Sequence, residues 1–353
     1  MIKNILIDIY KTKDLYSGLG EFSFNFAKEI SSLASKDYNL NFLVPGNIDI
    51  QTNDHIHLKK SDFQKRYLPC LNEKYDIWHC LHQFPAHLPN KNSKLILTVH
   101  DLNFLLEKRK SKASGYLKRL QENINRASII TVISDYTKKV VLENLDIKDK
   151  PIYRIYNGVK LECYNNVPKP DYIKSNKFFF TIGIISPKKN FHTLLPLMKY
   201  FKDYQLIIAG NKDSKYAKEI ERQICSLGLE GNVHLPGKIS NQEKYWLYSN
   251  CTAFLLPSLA EGFGMPIIEA LLIGKPVFAS KHTSLQEIGG DFAFYWDNFS
   301  PDYMAEVIEK KLSYFHQNHS QLSKGNMNYA QKFNWQNCIE NYLDVYNELL
   351  KNC

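Results

Sequence analysis

A chain of 353 residues exceeds what one ordinary hydrophobic core organises and fits two domains. With 44% hydrophobic and 23% charged residues it is globular, which excludes disordered and fibrous classes, and no window reaches the roughly eighteen apolar residues of a membrane span. A net charge of +9 leaves nucleic acid, an acidic membrane surface or a polyanionic ligand as partner classes.

The N-terminal run Met1-Ile-Lys-Asn-Ile-Leu-Ile-Asp8 is strand-like and lacks the serial basic, apolar and small-residue segments of a signal peptide. Further strand-like runs follow at Asn39–Val44, Tyr75–Cys80, Lys94–Asp101, Ser128–Asp135 and Ile152–Tyr156, then at Phe178–Ile185, Tyr204–Gly210, Val233–Pro236, Cys251–Pro257 and Pro276–Ser280. Several are continuous apolar strings, as expected of parallel strands buried on both faces. Their alternation with helical patterns predicts a doubly wound α/β architecture. The alternation lapses between Asn157 and Lys177, a polar stretch that reads as an interdomain linker. The expected division is 1–165, 166–335 and a terminal helix in 336–353 that can pack on either domain, the first included, with the cleft between two α/β domains as the default ligand site.

The seven cysteines, at 70, 80, 163, 225, 251, 338 and 353, are odd in number and scattered, and read as reduced thiols of a cytosolic protein. Basic residues concentrate at Lys59, Lys60, Lys65 and Arg66 and again from Lys108 to Arg119, where Tyr116, Leu117 and Leu120 interleave with the cations at roughly helical spacing. Such a helix suits an anionic membrane surface or a plain solvated face. The loops around Asp54–Arg66 and Asn103–Gly115 follow no decipherable pattern. Nucleic acid is disfavoured, since no binding-module signature is present.

Several constellations carry chemistry. Tyr16-Ser-Gly-Leu-Gly-Glu21 follows the first strand and places Gly18 and Gly20 at a strand-to-helix turn, where backbone N–H groups meet phosphates. A nicotinamide fingerprint would need a third glycine where Ser23 stands. His100 and Asp101 end one strand and Ser134 and Asp135 another, positions that face the crevice of a parallel sheet. Lys188 and Lys189, in Gly183-Ile-Ile-Ser-Pro-Lys-Lys-Asn190, would neutralise a diphosphate from a similar place. His79, Cys80, His82 and His87 invite a metal reading, but neighbours on a strand point to opposite faces and chelate poorly. No D-x-D pair is present either, so neither metal nor cofactor is expected.

The most informative segment is Glu261-Gly-Phe-Gly-Met-Pro-Ile-Ile-Glu269. It reads as strand, loop and helix start, with Gly262 and Gly264 free to take unusual dihedrals and Pro266 suited to the first helical turn. A carboxylate at each end and backbone amides between suit a ligand with hydroxyls at both ends and a diphosphate in the middle. Dipole enrichment of glutamate at a surface helix would explain neither the glycines nor the proline.

Together these residues resemble the retaining glycosyltransferases of family four, whose fold is GT-B, two Rossmann-like doubly wound domains facing a central cleft. The resemblance rests on Pro257 through Ala270, Gly274-Lys-Pro-Val277 and Ser284-Leu-Gln-Glu-Ile-Gly289. It implies that Glu269 binds the nucleotide ribose, and that Glu261 with the Phe263, Gly264 and Met265 backbone holds the donor sugar and diphosphate. It also implies that Gly18 and Gly20 contact the diphosphate, His100 the donor sugar and Lys189 a phosphate. Many relatives carry Arg where this chain has Ile184, while a subgroup with Pro-Arg-Lys-Asn is similar to Pro187-Lys-Lys-Asn190. In that setting Lys188 lacks the bidentate fork of Arg. The resemblance further implies metal-independent transfer of a hexose from a nucleotide-sugar donor, leaning to GDP-mannose over UDP-hexoses. The acceptor would be a glycan or lipid-linked glycan in surface polysaccharide or lipopolysaccharide assembly, on the cytoplasmic face of the membrane. A sugar-nucleotide 2-epimerase and a noncatalytic partner subunit of the same architecture are the rival readings.

Overall fold

The computed structural model describes residues 2–34, 37–62, 64, 68–69 and 73–351. Two compact units emerge: Met1–Gly158 with Phe333–Cys353, and Val159–Lys332.

In the first unit the chain runs β1 (Lys3–Asp8), α1 (Gly18–Ala34), β2 (Tyr38–Val44), β3 (Ile56–Lys60), β4 (Ile77–Cys80), β5 (Lys94–Val99), α2 (Phe104–Glu107), α3 (Lys110–Arg126), β6 (Ile129–Val132), α4 (Asp135–Asn144) and β7 (Ile152–Arg154). The strands pair in parallel in the order β3-β2-β1-β4-β5-β6-β7. Because side chains alternate along a strand, β1 sends Ile5 and Ile7 into one apolar cluster with Phe22, Phe26 and Phe42, and Leu6 into the other with Trp78, Leu97 and Leu120. Burial on both faces is what produces the continuous apolar strings in the sequence.

The second unit contains β8 (Phe178–Ile182), β9 (Gln205–Ala209), α5 (Lys215–Ser226), β10 (Val233–Gly237), α6 (Asn241–Asn250), β11 (Ala253–Leu256), α7 (Met265–Leu272), β12 (Val277–Ser280), α8 (Leu285–Gly289), β13 (Phe294–Trp296), α9 (Pro301–Gln317) and α10 (His319–Ala330). Its parallel sheet is ordered β10-β9-β8-β11-β12-β13. Strand order reverses between β1 and β4 in one sheet and between β8 and β11 in the other. Loops leaving the carboxyl ends of such strands form the ligand crevice of open α/β sheets.

The final helix, α11 (Trp335–Lys351), belongs to the first unit. Its buried face carries Cys338, Ile339, Tyr342, Val345, Tyr346 and Leu349. His79 Nδ1 bonds the Tyr346 hydroxyl at 2.7 Å, and its Nε2 bonds Thr98 Oγ1 at 2.8 Å. Thr98 Oγ1 in turn lies 2.8 Å from Thr131 Oγ1 and 3.4 Å from the Tyr342 hydroxyl. Burial depresses the His79 pKa to about 3, which keeps the ring neutral inside this network.

Three local expectations need correction. Ile56–Lys60 is a strand rather than loop, and Phe294–Trp296 adds another; both lie at sheet edges, where partly exposed residues blur the apolar pattern. The segment 103–115 is largely helical, entering α2 and then α3. Ser134 does not line an open crevice, for its hydroxyl is buried and accepts from the Thr137 amide at 3.0 Å to cap α4. Lys65, Arg66, Cys70 and Cys353 lie outside the described residues. Among the described residues no helix is long and apolar enough to cross a membrane.

Candidate active site

In the second unit the loops after β8 and β11, two directly paired strands, bring Lys189 and Glu261 together. Lys189 Nζ donates to Glu261 Oε1 at 2.6 Å, with the side chains 10% and 13% exposed. The lysine approaches over Gly183, whose φ is +154° and whose missing Cβ would lie 2.9 Å from Lys189 Cε. Any larger residue at 183 would displace the ammonium. Pro187–Lys189 forms a single 3₁₀ turn that ends on Asn190 in the left-handed conformation. Lys188 is half-buried, and its carbonyl accepts from the Leu259 amide at 2.7 Å, docking the lysine loop on the glutamate loop.

The glutamate loop is held from behind by Thr283, which the sequence did not single out, and by Ser284, which it marked only as part of the downstream motif. The Glu261 amide donates to Thr283 Oγ1 at 2.9 Å, and the fully buried Ser284 hydroxyl sits 3.1 and 3.0 Å from the carbonyls of Glu261 and Phe263. Thr283 adopts φ 56°, a conformation costly for a β-branched residue. The unusual dihedral of the loop falls on Gly264, at φ +107°, which caps α7, and Pro266 occupies its first turn. Phe263 is buried beside it. The positive end of the α7 dipole therefore opens between the two glutamates. The helix closes on Gly274, with Gly274 N–H bonding Leu271 O and Lys275 N–H bonding Ala270 O, the paired bonds of a Schellman ending.

Glu269 lies about one turn inside α7 and is only 6% exposed. Lys244 Nζ donates to its Oε1 at 2.9 Å, and the Tyr248 hydroxyl to its Oε2 at 2.8 Å. The donors stand one turn apart on α6. Their four-residue spacing was the available signal, but it marks a donor pair only once the partner across from the helix is known.

In the first unit His100 follows β5 and is 4% exposed. Its Nε2–H donates to the Leu81 carbonyl at 2.7 Å, and burial lowers its pKa to about 4 against the opposing effect of that bond. The ring is thus neutral near pH 7, and because a carbonyl can only accept, Nδ1 is the unprotonated nitrogen. Gln83, unremarkable in the sequence, brackets this turn: its Oε1 accepts from the His100 amide and its Nε2 donates to Asp101 O. Gly20 serves packing, since a Cβ there would lie 1.9 Å from the Asp14 carbonyl oxygen and its amide already donates to Ser17 Oγ. Gly18, two residues earlier, opens α1 and is exposed. His79 is consumed by its structural network, and no metal-holding group of three or more His, Cys, Asp or Glu occurs among the described residues.

Comparison with known proteins bears on the family and the fold. Residues 166–324 match the family "Glycosyl transferases group 1", and residues 57–162 match "Glycosyltransferase Family 4". The chain is 26% identical over 281 residues to the O-antigen chain mannosyltransferase B of Escherichia coli, covering 74% of this chain and 72% of that one. An uncharacterised glycosyltransferase of Methanocaldococcus jannaschii is 29% identical over 286 residues, covering 79% and 77%. Among solved structures, the sucrose-phosphate synthase of Thermosynechococcus elongatus superposes with a TM-score of 0.79 at 17% identity over 99% of this chain and all of that one. The Anabaena protein HepE, solved with UDP and glucose, gives 0.75 at 18% over 98% of this chain and all of that one. Two Rossmann-like units, the paired-glutamate loop and these matches place the chain in glycosyltransferase family four, with the GT-B fold.

Proposed function

We propose that this glycosyltransferase moves a hexose from a nucleotide sugar to a glycan or lipid-linked glycan acceptor, with retention at the anomeric carbon and without a metal. The observation that carries the reading is the ion pair of Lys189 with Glu261 beside the α7 N-terminus, with Glu269 buried one turn further on. Lys189 and the helix dipole meet the charge that builds on the departing diphosphate, a preorganised electrostatic contribution that needs no rearrangement during reaction. Glu261 faces the donor sugar and Glu269 the ribose. The bond from the anomeric carbon to phosphate breaks on the face where the bond to the acceptor oxygen forms, and the acceptor proton passes to the leaving phosphate oxygen. For His100 the corresponding role is a hydrogen bond accepted at Nδ1 from a sugar hydroxyl, and for Gly18 a backbone contact.

The name of the Escherichia coli relative supports mannose, and hence GDP-mannose, as the donor, and surface-polysaccharide assembly on the cytoplasmic face of the membrane as the setting. Exposed Lys108, Arg109, Lys110, Lys112, Lys118 and Arg119, beside exposed Leu106 and Tyr116, suit contact with an anionic membrane. A thermal-shift screen of nucleotide sugars identifies the donor, since a ligand at a hundred times its Kd adds about 2.7 kcal/mol. GDP-mannose is expected to give the largest shift, and a larger one from a UDP-hexose would replace it. Folded Glu261→Ala should lose at least roughly a hundredfold in kcat/KM. Near-normal turnover of that variant would sink the mechanism, and loss of turnover in excess EDTA would contradict metal independence.

A further inference from the structure

We infer that Lys244 and Tyr248 form a clamp that presets the Glu269 carboxylate to receive two adjacent hydroxyls, making them positioning residues for the nucleotide. The inference rests on the reading of Glu269 as the ribose ligand and adds how that ligand is made ready.

A carboxylate offers about two acceptor positions on each oxygen. Lys244 takes one on Oε1 at 2.9 Å and Tyr248 one on Oε2 at 2.8 Å, which leaves one on each. Two hydroxyls on neighbouring ring carbons, donating one to each oxygen, fill that pattern. The clamp is rigid at its base. Tyr248 is fully buried, packs edge-on against Phe180 at 4.9 Å between ring centroids, and lies 5.3 Å from Phe254. Lys244 sits on the turn before it, on a helix fixed at its start by the reciprocal capping of Ser240 and Glu243. The paired Lys244 and Glu269 side chains are 14% and 8% exposed, so the ion pair is shielded from the screening that weakens surface pairs. Without Lys244 the carboxylate would lose its bond on Oε1, and ordering it would fall to the incoming ligand.

The test is calorimetric binding of UDP and GDP, and of their 2′,3′-dideoxyribose counterparts, to the full chain and to Lys244→Met, Tyr248→Phe, Lys244→Arg and Glu269→Gln. Lys244→Met and Tyr248→Phe should each weaken the tighter-binding of the two nucleotides about tenfold, the scale of losing one charge-assisted bond. Lys244→Arg should recover most of that loss. Against the dideoxy nucleotide, which wild type itself should bind poorly, neither Lys244→Met nor Tyr248→Phe should cost more than about twofold. Equal losses with both nucleotides would show that Lys244 acts elsewhere and overturn the clamp, as would unaltered binding. If Glu269→Gln also costs the ribonucleotide and its dideoxy counterpart equally, or if neither UDP nor GDP binds the wild type, the ribose reading falls and the clamp with it. If Glu269→Gln costs the ribonucleotide more and Lys244→Met costs both equally, the clamp alone fails. Unfolding midpoints near wild type identify the variants fit for comparison, and Tyr248→Phe, which removes the other bond to Glu269, decides the point if Lys244→Met does not fold.

Discussion

The Lys189 ammonium and the Glu261 carboxylate lie 2.6 Å apart, joining the loops that leave β8 and β11. The two groups proposed to face the diphosphate and the sugar thus hold each other in register. Replacing one partner strands the other in a shielded site, at a cost expected near 2 kcal/mol, below the roughly 3–5 kcal/mol of a fully buried pair. Lys189→Met and Glu261→Leu should each lower the unfolding midpoint, while the double variant should lose less than their sum. Activity should stay lost in all three. Denaturant unfolding of the four proteins measures this coupling, and strict additivity of the losses would refute it.

Gly20→Ala should destabilise the first unit through packing. A Cβ only 1.9 Å from the Asp14 carbonyl oxygen forces the loop before α1 to move, because the obstacle is backbone. Overpacking of this kind costs about 1–3 kcal/mol or more. Chemical denaturation should show that loss in the absence of any nucleotide, which separates it from an effect on ligand binding.

Legibility differed by residue for physical reasons. Glu261, Glu269 and Gly264 were readable because a strand, a left-handed glycine and a first-turn proline leave a local signature, and the structure returns each in that setting. The strands buried on both faces were readable for a similar reason. The edge strands β3 and β13 were not, since Ile56–Lys60 mixes buried and exposed positions and Phe294–Trp296 spans three residues. Lys244, Thr283 and Gln83 act across the fold on partners that sequence spacing does not reveal. Gly20 looked like part of a phosphate loop because close backbone approach demands the same residue whether the neighbour is a ligand or the chain itself.

Asp8 ends β1 as a buried carboxyl, and burial raises its pKa from 3.8 to about 6 despite the bond from the Tyr10 amide and the nearby Lys11. The folded state holds this proton more tightly than the unfolded one. The contribution therefore favours folding fully below pH 3.8 and is lost as the pH rises through 6. At pH 8 the ionised group costs up to about 3 kcal/mol, from a shift of about two units at roughly 1.4 kcal/mol each. Asp8→Asn should accordingly be more stable than wild type at pH 8, with the advantage shrinking towards pH 4. Urea titrations at the two pH values measure it, and a constant difference would contradict the assignment.

Helix α3 buries Ala113, Leu120 and Ile124 and exposes a row of cations. Neutralising Lys110, Lys112, Lys118 and Arg119 with Gln should weaken binding to vesicles rich in anionic phospholipid by up to about 1 kcal/mol per charge. The difference should fade in about 1 M salt, where the Debye length is near 3 Å. Co-sedimentation with neutral and anionic vesicles is the measurement, and equal binding of wild type and variant would remove the membrane from the proposal.

The tie between His79 and Tyr346 has a consequence for synthesis. The ribosome makes β4 early and α11 only after every strand of the second unit, so the first unit's central histidine waits through most of translation for its hydroxyl partner. Until then His79, Thr98 and the apolar face around Phe26 are exposed to the nascent chain's surroundings, without Tyr342 and Tyr346 to cover them. The early half of the protein should therefore emerge as a client for chaperones, and the second unit, contiguous in sequence, should be first to complete its core.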